Sequence, residues 1–93
     1  MKEDYPVFVK WSDATDWILD TLEKFPKSVR FTISGRIGNI TLNVREGIIE
    51  AIYSKDRSRI LEKLNLNIEK LRVMFRISYR RKYISKNQYG HIS

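Results

Sequence analysis

The sequence has no cysteine, so neither a disulfide framework nor a thiolate metal site can stabilise the chain. Its one histidine, His91, leaves a histidine-based catalytic triad or zinc site without partners. No apolar run approaches the roughly 18–20 residues that cross a bilayer, and the first six residues are too acidic and polar for a signal peptide. We therefore expect a cytoplasmic protein that is not an enzyme, with no cofactor, no metal and no membrane contact.

The small size of the chain limits how stable it can be alone. With 93 residues it has room for one domain, which we place at residues 1–93. A chain of this length buries only about 60–65% of its unfolded surface. Without disulfides or a metal, oligomerisation is the remaining common route to stability.

Positive charge is concentrated in the later part of the chain. Residues 1–25 carry three basic and six acidic side chains, whereas residues 26–93 carry fifteen basic and five acidic ones. Such an imbalance attracts polyanions, of which nucleic acid is the usual one. The alternative is a basic surface that serves only solubility.

The first predicted helix spans residues 11–25. Pro26 ends it because proline disfavours the helical conformation of the preceding residue, and Ser12 or Asp13 would cap its start. Apolar residues recur at the steps of one helical face. They are Trp11, Ala14, Ile18, Leu22 and Phe25. We interpret the acidic residues as a solvated face rather than a cation site. They are Asp13, Asp16, Asp20 and Glu23.

Residues 28–53 are the most ambiguous segment. Their β-branched residues, with Gly35 and Gly38, suggest a hairpin. However, the apolar residues follow unbroken steps of three and four and do not alternate as a strand requires. They are Val29, Ile33, Ile37, Ile40, Val44, Ile48 and Ala51. We therefore predict one continuous helix over 28–53.

A third helix is predicted at residues 56–82, with Asp56 as its cap. Its main apolar line again steps by three and four. The line comprises Leu61, Leu64, Ile68, Leu71 and Phe75. Ser85-Lys86-Asn87-Gln88 then forms a capping box, which opens a fourth helix over 85–93 that the sequence does not complete. The predicted fold class is all-α, an up-down four-helix bundle with an incomplete fourth helix.

The second and third helices each carry a further apolar line on the opposite side. A helix that is apolar on two faces needs a neighbour on both. Gly35 and Gly38 on the second helix would let another backbone approach closely, or are tolerated at about 1 kcal/mol each. We assign these lines to an oligomer interface. The interface residues are Phe31, Leu42, Ile49, Tyr53, Leu66, Val73 and Ile77.

A row of arginines on the third helix is the main candidate for polyanion binding. Like charges four residues apart destabilise a helix by about 0.2–0.5 kcal/mol per pair, whereas guanidinium groups bind phosphate with paired donors. The alternative is that acidic residues of the first helix neutralise the row. We assign nucleic-acid or partner binding first to Arg72, Arg76, Arg80, Arg81 and Lys82, and second to Arg30, Arg36 and Arg45.

Two other motifs have competing interpretations. Gly35-Arg36-Ile37-Gly38 matches the G-x-x-G loop with which KH domains clamp a nucleic-acid backbone, although the helical run passes through it. Tyr79, Tyr83 and Tyr89 lie close to the basic stretch. They would either stack on unpaired bases or serve in packing.

In this order, the segments resemble the accessory variability determinant (Avd) family of diversity-generating retroelements. These four-helix-bundle proteins are related to the proteins encoded in ribosomal RNA intervening sequences. The resemblance covers nearly the whole chain. Its anchors are Pro6-Val7-Phe8, Trp17, Phe25-Pro26-Lys27, Arg30-Phe31, Arg36-Ile37, Glu50-Ala51-Ile52-Tyr53, Leu71-Arg72, Tyr83-Ile84-Ser85 and Tyr89.

The resemblance implies a homo-pentameric, barrel-like ring with basic surfaces. It also implies binding to RNA or DNA and to the reverse transcriptase of the same element, in support of mutagenic copying of a template RNA into cDNA. The polymerase chemistry would belong to that partner. An incomplete fourth helix is the departure from the family pattern. A helical module that oligomerises and binds only protein, or a KH-like RNA-binding domain, are the alternatives.

Overall fold

Four α-helices make up most of residues 6–92, which are the residues that the computed structural model describes, with side chains from residue 9 onward. They are α1 Pro6–Leu22, α2 Gly35–Tyr53, α3 Ser58–Arg80 and α4 Lys86–Ile92. No strand occurs in residues 6–92, so the prediction of an all-α fold is confirmed. Residues 1–5 and Ser93, which belong to the predicted domain, lie outside the described residues.

Successive helices are antiparallel neighbours. Leu22 at the end of α1 lies against Gly38 near the start of α2, and Gly47 late in α2 lies against Leu64 early in α3. These two contacts place the ends of consecutive helices side by side, as an up-down arrangement requires. The predicted four-helix topology is therefore present in the structure.

The short helix α4 folds back between α3 and α1. Its Tyr89 ring stacks on Tyr79 of α3, and its His91 ring lies 4.4 Å from the ring of Trp17 on α1. Beyond α4, a groove of about 420 Å³ continues between the other helices. It is lined mostly by apolar side chains, among them Trp11, Ala14, Val44, Ile48, Leu61, Leu64 and Ile68. Helix α4 lines a neighbouring cavity with His91 and Ile92 and contributes no residue to this groove.

The boundaries of α1 and α3 differ from the prediction. Helix α1 begins at Pro6 and ends at Leu22 instead of spanning 11–25. Proline suits a first helical position because its missing N–H has no partner there anyway. Neither Ser12 nor Asp13 is therefore a cap. Helix α3 begins at Ser58, and no side chain caps it.

The N-terminal caps predicted for α3 and α4 have different outcomes. The cap predicted at Asp56 is wrong, because that residue lies before Arg57 at the helix boundary. The capping box of α4 is confirmed: the Ser85 N–H donates to Gln88 Oε1 at 2.8 Å, and the Gln88 N–H donates to Ser85 Oγ at 3.1 Å.

The segment predicted as one helix over 28–53 is helical but not uniform. A 3₁₀ turn at Lys27–Val29 and a π-helical turn at Arg30–Ser34 precede α2. In the π-turn the N–H of Gly35 donates to the carbonyl of Arg30. A Cβ on Gly35 would collide with that same oxygen, so glycine allows the π-turn to join α2.

The close approach predicted at Gly38 is not present, whereas Gly47, which was not predicted, closely contacts a side chain of α3. A Cβ on Gly38 would meet Leu22 at an ordinary 3.6 Å, whereas a Cβ on Gly47 would lie 2.5 Å from Leu64 Cδ2. The absence of a side chain at Gly47 therefore lets Leu64 of α3 pack closely on α2.

The core lies where α1, α2 and α3 meet and largely follows the predicted lines. Its buried apolar residues are Ile18, Phe25, Ile37, Val44, Leu64, Leu71, Phe75 and Ile84. Leu61 was predicted to lie on the inner line but is exposed. It lies near the start of α3, where only the open groove faces it.

Four buried hydroxyl groups belong to the core and were not predicted. Each donates a hydrogen bond to the carbonyl four residues earlier, at 2.7–2.8 Å. The residues are Thr15, Thr21, Thr41 and Ser78. Because each hydroxyl is satisfied within its own helix, its burial leaves no unpaired donor. None of the helices within residues 6–92 is long and apolar enough to cross a membrane.

Candidate nucleic-acid interface

The arginine row is an exposed feature of α3. Arg72, Arg76 and Arg80 all lie within Ser58–Arg80, and all three side chains are exposed. At 1.5 Å per residue they extend over about 12 Å of the helix. Because a spacing of four residues is slightly more than one helical turn, each successive arginine lies further around the helix. The row therefore runs from the edge of α4 toward the outer surface.

Only the first arginine of the row has an acidic partner among the described residues. Arg72 donates to Glu69 Oε1 at 2.5 Å, and both side chains are more than half exposed. No carboxylate of residues 9–92 lies within ion-pair distance of Arg76 or Arg80. The alternative that acidic residues of α1 neutralise the row is therefore wrong for the carboxylates that the structure describes. An exposed pair such as Arg72–Glu69 contributes little to stability.

Further basic residues gather at one end of the bundle. The α1–α2 and α3–α4 connections both lie at this end, where the rings of Phe25 and Tyr83 are 5.6 Å apart. A small cavity between Val29 of the first connection and Arg81 of the second joins them. We call this region the basic end. Its exposed cations are Lys24, Lys27, Arg30, Arg80, Arg81, Lys82 and Lys86.

The second set of predicted binding residues, Arg30, Arg36 and Arg45, does not lie on one surface. Arg30 belongs to the basic end, close to the first set. Arg36 and Arg45 are nine residues apart on α2, which places them on opposite sides of that helix. Arg36 is exposed and Arg45 is half-buried. These two residues therefore do not form one surface with each other.

Lys82 has an unusual backbone conformation at the end of α3. Within residues 6–92 it is the only non-glycine residue with a positive φ, at 64°. The Tyr83 N–H donates to the Ser78 carbonyl at 2.9 Å, and the Lys82 N–H donates to the Tyr79 carbonyl at 3.0 Å. This is the Schellman motif, in which glycine normally occupies the left-handed position. A lysine there lowers stability and places a cation at the basic end.

Arg81 interacts with Tyr83 at the same turn. A side-chain hydrogen bond with Tyr83, together with the electrostatic interaction between the two groups, raises the pKa of the Arg81 guanidinium above its ordinary value. The group is fully exposed. Arg81 is therefore a cation that is accessible to solvent at the basic end.

The KH interpretation of Gly35-Arg36-Ile37-Gly38 is wrong. All four residues lie within α2, and Ile37 is fully buried. A KH clamp requires an exposed loop next to a sheet, and residues 6–92 contain no strand.

The residues predicted to form an oligomer interface are largely open to solvent. Phe31 is 87% exposed, and the exposed large hydrophobic residues also include Leu42, Tyr53, Leu66 and Val73. Ile49 and Ile77 are partly buried. The structure contains one chain, so their role in assembly stays a prediction.

A family model described as bAvd-like matches residues 7–93. The chain belongs to the bAvd-like family. The resemblance to Avd proteins predicted from the sequence is thereby confirmed. Comparison with curated proteins and with solved structures gives no significant match.

In this bAvd-like protein, the position of the helix connections adds residues to the candidate site that the sequence did not predict. Lys27 and Lys86 were not assigned to the site, yet both lie at the basic end. Their position follows from the antiparallel order of the helices, because alternate connections of an up-down bundle share an end. A sequence reading that places each turn on its end of the bundle would have included them.

Proposed function

We propose that this protein is a non-catalytic, cytoplasmic accessory subunit of a diversity-generating retroelement. In this proposal it binds nucleic acid and the element's reverse transcriptase and supports mutagenic synthesis of cDNA from a template RNA. The observation that carries the proposal is membership of the bAvd-like family over residues 7–93, joined to a row of exposed arginines that is mostly free of acidic partners.

The charge distribution supports a polyanionic ligand. Over residues 9–92, the exposed cations Arg76, Arg80 and Lys82 have no carboxylate within ion-pair distance. Uncompensated like charges on one helix face weaken the helix, and phosphate groups would relieve that repulsion. Arg81 and Arg30 extend the same surface onto the basic end, so a strand of nucleic acid would meet cations along α3 and around the two connections.

Assembly into a homo-pentamer is part of the proposal. A ring forms when two different surfaces of each subunit meet head to tail. Four of the exposed apolar side chains lie on two different helices, with Leu42 and Tyr53 on α2 and Leu66 and Val73 on α3. An apolar surface on each of two helices is what such a contact requires, and water would be excluded from both on assembly.

The second candidate is a module that oligomerises and binds only protein. The several exposed apolar side chains, among them Phe31, Leu66 and Val73, favour it, because extensive exposed apolar surface is typical of protein–protein contact sites. Filter binding of labelled RNA at moderate salt separates the two candidates. The proposed function predicts retained RNA, whereas the protein-only module predicts none.

Binding to the reverse transcriptase is tested by co-expression with the reverse transcriptase of the same element. We expect the two proteins to co-purify and to remain together after nuclease treatment. Loss of the complex after nuclease treatment would mean that nucleic acid alone bridges them. No complex before treatment would contradict the accessory role.

A further inference from the structure

Two tyrosines form a stacked pair next to the arginine row. The rings of Tyr79 on α3 and Tyr89 on α4 are parallel to within 4°, with centroids 4.8 Å apart. Tyr79 is 37% exposed. Tyr83 differs, because its ring is tilted by 46° against buried Phe25 and belongs to the packing of the core.

The tyrosine pair and the arginine row share one surface of α3. Arg76 and Tyr79 are three residues apart and are therefore neighbours on the helix surface. Arg72 precedes Tyr79 by seven residues, which places it two turns away on nearly the same line. A ligand that contacts the guanidinium groups is thereby brought next to the open part of the Tyr79 ring.

Flat aromatic surface beside a line of cations suits an unpaired base more than a duplex. In a duplex the base faces are covered by their neighbours, so only phosphates and groove edges are accessible. An unpaired nucleotide can turn its base face toward an aromatic ring while its phosphate contacts arginine. Such stacking depends little on sequence, because every base has a π-face.

We propose that this surface binds single-stranded nucleic acid, with an unpaired base stacked on the Tyr79–Tyr89 pair and phosphates along Arg72, Arg76 and Arg80. The inference rests on the proposed function, since it specifies the form of nucleic acid that the same row binds. It assigns a binding role to the two tyrosines beyond holding α4 against α3.

Two probes with equal charge test the inference. One is an oligothymidylate, and the other is an abasic chain with the same number of phosphates, each labelled for fluorescence anisotropy. We expect the wild-type protein to bind the oligothymidylate about tenfold more tightly than the abasic chain. Tyr79→Phe should retain this ratio because it keeps the ring, and Tyr79→Ala should remove it.

The outcomes separate this inference from the proposed function. Equal affinity of the wild-type protein for both probes would overturn base stacking, and a full ratio in Tyr79→Ala would overturn its assignment to the tyrosine pair. Both results leave polyanion binding in place. Failure to bind either probe at low salt would overturn the proposed function itself. Because Tyr79→Ala also loosens α4, its result is judged beside Tyr79→Phe, which keeps the stacked ring and should keep the wild-type ratio; loss of the ratio in Tyr79→Phe would overturn the inference.

Discussion

Lys82 occupies a backbone conformation that is energetically unfavourable for a residue with a side chain. At φ 64°, the left-handed conformation costs an L-residue about 1–2 kcal/mol. Glycine avoids this cost but loses more backbone freedom on folding, by about 0.5–1 kcal/mol. We therefore expect Lys82→Gly to raise the free energy of unfolding by up to about 1.5 kcal/mol.

The effect is measurable by thermal unfolding followed by circular dichroism. In a domain of this size, about 1 kcal/mol corresponds to a rise in Tm of roughly 4–8 °C. Lys82→Ala is the matched control, because it removes the charge and keeps the strained backbone. Lys82→Asn should fall between them, since asparagine tolerates this conformation better than alanine does. All variants are compared at one protein concentration, because association would shift Tm.

The same three variants separate stability from binding. Each removes one cation from the basic end, so each should weaken RNA binding and reduce its salt dependence by the contribution of about one phosphate contact. Lys82→Gly would then be more stable than wild type and bind RNA less well. A glycine variant no more stable than Lys82→Ala would refute the reasoning about the backbone. Unchanged RNA binding in all three would remove Lys82 from the interface.

Three further predictions follow from the packing. Phe75→Ala, at a side chain only 1% exposed, should lower the free energy of unfolding by about 3–5 kcal/mol; a loss under about 1 kcal/mol in urea titration would contradict its place in the core. Gln88→Ala should lower the free energy of unfolding by about 1 kcal/mol, because it removes the capping box, and should reduce amide protection in α4. Unchanged protection in hydrogen exchange would show that packing alone holds α4. Phe31→Ser should leave the helix content unchanged and reduce the molar mass measured by light scattering, whereas unchanged mass would exclude Phe31 from an interface.

Hydrophobic periodicity predicted the helices and much of the core because both depend on the same spacing. Ile37 and Val44 lie on the line that favoured a helix over a hairpin in α2, and both are buried. Periodicity could not reveal the π-turn before α2. That turn depends on whether Gly35 can approach the carbonyl of Arg30, which is a property of the local backbone.

Polar core residues and the site required the three-dimensional structure. Thr15 and Thr41 interrupt the apolar pattern, and only the hydrogen bonds within each helix explain their burial. The arginine row could be predicted, because a spacing of four residues fixes one side of a helix. The pairing of Tyr79 with Tyr89 could not, since it depends on how α4 is aligned against α3.

The salt dependence of RNA binding tests the central claim most directly. Filter binding is repeated over a range of salt for the wild-type protein and for the variant Arg72→Gln/Arg76→Gln/Arg80→Gln. We expect log K to fall linearly with log salt in the wild type, with a slope shallower by roughly two in the variant, because about 0.7 is lost for each phosphate contact with a single strand.

The matched control neutralises three exposed cations near the α2–α3 connection, at the opposite end of the bundle: Arg57, Arg59 and Lys63. This control lowers the net charge equally and should keep the wild-type slope. A slope that is the same in the wild type and the arginine-row variant, or a wild-type protein that binds no RNA at low salt, would contradict the account.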